Sequence, residues 1–229
     1  MIAGDVHIGA GRRRAEKPGQ LVDPEVELEV KGPPPYVSRG GVKLANALDT
    51  LNVPVEGRMA LDVGASTGGF TDCLLQRGAA HVIALDVAYG ELDWRIREHE
   101  RVTVIERTNA RSITPDDLPY APDLIVSDVS FISLTKVLPA VLATAGPTFD
   151  CLAMVKPQFE VGKDRIGKGG VVRDLELRRE AVRTVAASVD VAVMGSAPSA
   201  LAGPSGNRET FLWLAEPGRP GAVEEVDAW

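Results

Sequence analysis

Two groups of residues in this chain have the types and spacing that chemistry needs. The first is Asp62-Val63-Gly64-Ala65-Ser66-Thr67-Gly68-Gly69-Phe70, an apolar run that passes into a glycine-rich turn and then into a helix expected to start near Thr71. Glycines lack the Cβ atoms that would keep a ligand off the backbone, and a helix start offers unpaired N–H groups to a carboxylate or phosphate. Asp86 follows at the expected end of the next strand, where an acid can take both hydroxyls of a ribose. The ligand is therefore expected to be a nucleoside derivative. The dinucleotide pattern G-x-G-x-x-G is not met, because Ala65-Ser66-Thr67 separates Gly64 from Gly68-Gly69, and this argues against a nicotinamide dehydrogenase.

The second group is Lys43, Asp128, Lys156 and Glu209. In open α/β sheets ligands bind outside the carboxyl ends of the strands, so Asp128 after strand four and Lys156 after strand five are expected to face the cofactor's crevice. Glu209 enters strand seven, and Lys43 rides on a helix ahead of strand one. Taken alone, a strand-ending lysine in Val155-Lys156-Pro157 reads first as a side chain snorkelling at the sheet rim.

These residues need a scaffold, and the periodicity supplies one. Val42, Leu44, Ala45, Leu48 and Leu51 recur at helical spacing up to Asn52-Val53-Pro54, giving the helix that carries Lys43. From Met59 onward, short apolar runs alternate with amphipathic stretches, the pattern of βα units. Strands are expected at Ala60 to Val63, His81 to Val87, Val102 to Glu106, Leu124 to Ser127, Cys151 to Val155, Val191 to Met194 and Phe211 to Leu214. Asp174 to Ser188 reads as a helix with Glu176 in its first turn and Arg178, Arg179 and Arg183 later, matching the helix dipole. The fold class is α/β, a Rossmann-like, doubly wound, seven-stranded sheet with helices on both faces. Ahead of it, Val6-His7-Ile8 and Val26 to Val30 alternate apolar with polar around a turn-rich basic loop and predict a small β element. The divisions expected are 1–31 for that element, 32–37 for a proline-rich linker, 38–216 for the α/β domain and 217–229 for a tail.

Composition narrows the class. An apolar fraction of 45% over 229 residues suits a folded domain with a sizeable core. No run of about 18 apolar residues occurs and the start lacks a secretory signal pattern, which points to the cytoplasm. Two cysteines and three scattered histidines supply neither a disulfide framework nor a metal-ligand cluster. A net charge of −7 argues mildly against nucleic acid. The distribution partly offsets it, since Arg12-Arg13-Arg14, Lys17, Lys31, Arg39 and Lys43 gather in the first fifth and acids gather at the tail.

The glycine-rich turn resembles motif I of the S-adenosyl-L-methionine methyltransferases. Lys43, Asp128, Lys156 and Glu209 match the K-D-K-E tetrad of FtsJ-like ribose 2′-O-methyltransferases. The words Ser38-Arg39-Gly40-Gly41-Val42-Lys43-Leu44, Glu106-Arg107-Thr108-Asn109-Ala110-Arg111, Val155-Lys156-Pro157-Gln158-Phe159-Glu160 and Gly203-Pro204-Ser205-Gly206-Asn207 are similar to those of the TlyA, or haemolysin A, family, over Tyr36 to Ala215. The resemblance implies that Asp62, Gly64, Ala65, Ser66, Thr67, Gly68, Gly69 and Phe70 bind S-adenosyl-L-methionine with Asp86 and Val87 at its ribose side and Asn109 and Ala110 at its adenine. It also implies cytidine 2′-hydroxyls of ribosomal RNA as substrate, and ribosomal RNA or ribosomal subunits as partners. It further implies that the first 31 residues are part of an S4 RNA-binding domain. Only the strand half of such a domain is recognisable, so the chain is expected to lack the two helices before it, through a start site placed too far downstream or a natural short form.

The chemistry agrees with the residue types. A ribose hydroxyl is a poor nucleophile until its proton leaves, and methyl transfer needs in-line attack, so a base and tight positioning are both required. A lysine is a base only when neutral, a state that a neighbouring ammonium favours, so Lys156 is assigned as the base with Lys43 placed beside it, and Asp128 and Glu209 as orienting groups. No metal is needed. Two alternatives compete. An amino-group methyltransferase would show Asn or Asp followed by Pro-Pro and an aromatic after strand four, where this chain has Ser127-Asp128-Val129-Ser130-Phe131. A non-catalytic RNA-binding or haemolysin-like protein would not require a tetrad.

Overall fold

The computed structural model describes residues 6–9, 13–15, 20–30, 34–203 and 205–229. Arg12, Lys17, Lys31 and Pro204, singled out above, and residues 32–33 of the expected linker lie outside the described residues. The chain divides into two compact units, 1–35 and 36–229.

The first unit contains a three-stranded antiparallel sheet. Strands β1 (Val6–Ile8), β2 (Arg13–Arg14) and β3 (Leu28–Val30) pair in the order β2-β1-β3, with His7 opposite Arg14 and Glu29. The sequence reading has two strands around a loop. The third forms inside that basic loop because β1 has a free edge whose N–H and C=O groups take a partner.

The second unit is a seven-stranded sheet in the order β6-β5-β4-β7-β8-β10-β9. Its elements are α1 (Arg39–Leu51), β4 (Met59–Val63), α2 (Gly69–Gln76), β5 (His81–Leu85), α3 (Trp94–Arg97), β6 (Val102–Ile105), β7 (Leu124–Ser127), α4 (Leu138–Leu142), β8 (Asp150–Val155), α5 (Pro157–Glu160), α6 (Leu175–Ala186), β9 (Ala192–Pro198) and β10 (Thr210–Ala215). Strands β4 to β8 are parallel, and β10 runs antiparallel between β8 and β9. Both faces are buried, which is why the strands read as unbroken apolar runs. On one face Leu61, Ile83, Ile125, Cys151 and Leu212 pack with Leu138 of α4 and Val182 and Val185 of α6. On the other, Ala60, Val82, Val126, Leu152 and Phe211 pack with Leu44 and Leu48 of α1 and Leu74 of α2. No helix among the described residues is long and apolar enough to cross a membrane.

Local details differ from the periodicity. Helix α1 starts three residues earlier than its apolar pattern, because Ser38 caps it by accepting the Gly40 N–H. Asn52 ends it in the left-handed conformation. Strand β5 stops at Leu85, so Asp86 and Val87 stand on the loop beyond it. Helix α2 starts at Gly69, two residues before the expected Thr71. A loop, not a crossover helix, joins β9 to β10, since antiparallel neighbours need none.

Candidate active site

The turn after β4 is held open by backbone. Gly64 adopts φ +87°, and a Cβ there would lie 2.8 Å from the Asp128 carbonyl oxygen, so no side chain fits between the two strand ends. The Gly64 and Ala65 N–H groups both donate to the Leu85 carbonyl. Beyond β5, Asp86 accepts the Ser66 N–H at 2.7 Å on one carboxylate oxygen and the Ala88 N–H at 2.8 Å on the other. These two bonds fix the Asp86 rotamer and tie the two loops together.

Asp62 is placed differently from the residues that follow it. It is fully buried, accepts the Thr71 hydroxyl at 2.7 Å, and has its other carboxylate oxygen without a hydrogen-bond partner among the described residues. Burial pushes its pKa up to about 7, although the Thr71 hydrogen bond opposes the shift. It braces the turn from beneath, off the walls of the cavities described next.

Three cavities meet here. One of about 500 Å³ is lined by Leu85, Asp86, Val87, Asn109, Ala110 and Phe131 among others. A second, of about 480 Å³, is lined by Gly64, Ala65, Ser66, Thr67, Gly69 and Phe70 and by all four of Lys43, Asp128, Lys156 and Glu209. A third, of about 380 Å³, is walled by Lys156, Glu209, Gln158, Phe159, Ser205 and Asn207. Gly68 turns the chain into α2 with φ +92°.

The four ionisable residues arrive from α1, the ends of β7 and β8, and the start of β10, and pair as two ion pairs. Lys43, buried in α1, pairs with Glu209; their side chains are 8% and 2% exposed. Lys156 Nζ lies 2.6 Å from Asp128 Oδ1 and donates to Ser130 Oγ at 2.7 Å. Both lysines line the same cavity, and each is met by a carboxylate, which offsets the cost of burying the charge. Gly203 sits against Glu209, since a Cβ there would come within 2.6 Å of Glu209 Oε1.

The sequence reading missed several neighbours. Glu160 of α5 accepts the Leu134 N–H at 2.9 Å and the Ser133 hydroxyl, tying the loop after β7 to the loop after β8, and burial raises its pKa. Asn207, buried, accepts the Val172 N–H at 2.9 Å and donates to the Gly170 carbonyl at 2.8 Å, fastening the 167–172 loop over the third cavity. Phe131 is 92% exposed with φ +64°, and its ring centroid lies 5.3 Å from that of Phe159. Glu160 and Asn207 stand inside words already singled out. Their partners lie 26 to 37 residues away, so only the folded chain reveals their role.

The chain is similar to known proteins over most of its length. A model described as FtsJ-like methyltransferase matches residues 36–216. The 16S/23S rRNA (cytidine-2′-O)-methyltransferase TlyA of Mycobacterium tuberculosis is 49% identical over 217 residues, covering 90% of this chain and 81% of that protein. Hemolysin A of Brachyspira hyodysenteriae is 40% identical over 181 residues, covering 79% of this chain and 75% of that one. A crystal structure from Lactococcus lactis, of a protein named as a hemolysin, superposes with a TM-score of 0.80 at 38% identity, covering 84% of this chain and 94% of that one.

Proposed function

Because the chain belongs to the FtsJ-like methyltransferase family, we propose that it transfers the methyl group of S-adenosyl-L-methionine to the ribose 2′-hydroxyl of a cytidine in ribosomal RNA, with Lys156 as general base. The observation that carries this reading is the convergence of the pairs Lys43–Glu209 and Lys156–Asp128 on one cavity that also holds the glycine-rich turn.

The walls fit the cofactor. Asp86 spends one lone pair of each oxygen on backbone N–H groups and keeps the others for two ribose hydroxyls. Val87, Asn109 and Ala110 line the same cavity and suit an adenine, and the bare backbone at Gly64 suits the amino-acid end. When bound, S-adenosylmethionine supplies an electrophilic methyl carbon, and the C–S electron pair leaves with sulfur. As general base Lys156 would accept the 2′-hydroxyl proton, and its pairing with Asp128 favours the ammonium that results. Lys43 and Glu209, on the same cavity, would help to hold the ribose. Acid–base help of this kind contributes about 10²- to 10⁴-fold. The Phe131–Phe159 pair offers a surface on which an unstacked base can lie. The three-stranded sheet is assigned to the strand half of an S4 RNA-binding module, and ribosomal subunits in the cytoplasm are the assigned partners.

Purified ribosomal subunits, methylated and digested, test this by nucleoside mass spectrometry. The expected product is 2′-O-methylcytidine. Lys156→Ala is expected to abolish it while binding of S-adenosylhomocysteine persists in calorimetry. Base-methylated nucleosides, or tighter binding of NAD than of S-adenosylhomocysteine, would overturn the reading.

A further inference from the structure

The tip of Lys156 is held by two neighbours of different kinds. Asp128 Oδ1, at 2.6 Å, meets the ammonium as a charge contact outside hydrogen-bonding alignment. Ser130 Oγ, at 2.7 Å, accepts an aligned hydrogen bond from the same nitrogen. Serines in loops commonly turn their hydroxyls to nearby backbone, whereas this one reaches a side chain 26 positions away. Ser130 also lies on the walls of all three cavities, where the cofactor side, the catalytic pairs and the third cavity meet.

We propose that Ser130 is a positioning residue for methyl transfer: its hydroxyl fixes the rotation of Lys156 about Cε–Nζ so that the neutral amine turns its lone pair toward the ribose hydroxyl. The proposal rests on the assignment of Lys156 as the base.

The argument is one of valence. A neutral amine has two hydrogens and one lone pair on three staggered positions, and it works as a base only when the lone pair faces the proton it removes. One acceptor would engage one hydrogen and leave the second hydrogen and the lone pair free to exchange places by rotation and inversion. With Asp128 attracting one hydrogen and Ser130 engaging the other, both are accounted for and the lone pair takes the remaining position. In the proton step, the ribose O–H bond breaks as a third N–H bond forms on Nζ, and the resulting ammonium has acceptors in Asp128, Ser130 and the ribose oxygen. Ser130 is itself exposed.

The test compares wild type, Ser130→Ala, Ser130→Thr and Lys156→Ala on purified ribosomal subunits. Single-turnover methylation rates are measured beside calorimetric affinities for S-adenosylhomocysteine and binding of the subunits. Ser130→Ala is expected to slow the chemical step by about 10- to 100-fold, the scale of a small misplacement of a reacting group, with both affinities unchanged. Ser130→Thr, which restores the hydroxyl, is expected to recover most of the rate. A Ser130→Ala variant at the wild-type rate, a loss that tracks weaker cofactor or subunit binding, or a threonine variant as slow as alanine would each overturn the proposal. Lys156→Ala separates the two levels. If it is inactive while Ser130→Ala is fully active, only the role of Ser130 is wrong; if it still methylates, the base assignment itself is wrong.

Discussion

Glu209→Leu is expected to cost stability as well as activity, and combining it with Lys43→Met is expected to separate the two. The pair joins α1 to the start of β10 across 166 positions, with side chains 8% and 2% exposed. Removing the carboxylate leaves an ammonium in a site from which water is largely shut out, and breaking such a pair costs about 3 to 5 kcal/mol. For a domain of this size each kcal/mol moves the melting temperature by about 2 to 4 °C, so the single variant should melt roughly 6 to 20 °C lower. Replacing both partners by apolar side chains removes the orphaned charge, and such exchanges are often neutral. The double variant should therefore regain most of the lost stability in urea titrations followed by circular dichroism while staying inactive on ribosomal subunits. A Glu209→Leu variant within about 1 kcal/mol of wild type would refute the reasoning, because that is the size of a solvated surface pair.

Three further outcomes are expected. Asp62 keeps its proton to about pH 7 when folded but loses it near the ordinary carboxylate value when unfolded, so it lowers stability as pH rises between those values. Asp62→Asn should thus be stabilised relative to wild type more at pH 8 than at pH 4 in urea titrations, and an equal difference at both would contradict the buried, protonated acid. Gly203→Ala would place a methyl group 2.6 Å from Glu209 Oε1, so turnover should fall by about tenfold or more with cofactor affinity intact; wild-type turnover would show that the contact is slack. Asn207→Ala frees the Val172 N–H and the Gly170 carbonyl, and hydrogen exchange at Val172 should accelerate without a change in the sheet; unchanged protection would mean the clamp is redundant.

The readings that survive best from sequence are those with a short physical range. Strand β7 matches its apolar run residue for residue, and β4 and β8 do so to within one, because a strand buried on both faces leaves a continuous apolar signal. Asp128 and Lys156 follow those strands directly, so the parallel topology delivers them to one crevice. Boundaries were less legible where hydrogen bonds outvoted periodicity. Ser38 draws α1 back to Arg39, and Asp86 leaves β5 to bind Ser66 and Ala88.

By itself, then, the amino-acid order determined the element types, the glycine-rich turn and the four ionisable residues, since each depends on neighbours a few positions away or on the alternation of a sheet. Tertiary structure decided the partners. That Lys43 meets Glu209, that Lys156 meets Asp128 and Ser130, and that Asp62 lies beneath the turn, are set by contacts between elements far apart in the chain. Charge pairing inside a protein is a matter of distances of a few ångströms and of exclusion of water, and neither is written in sequence separation.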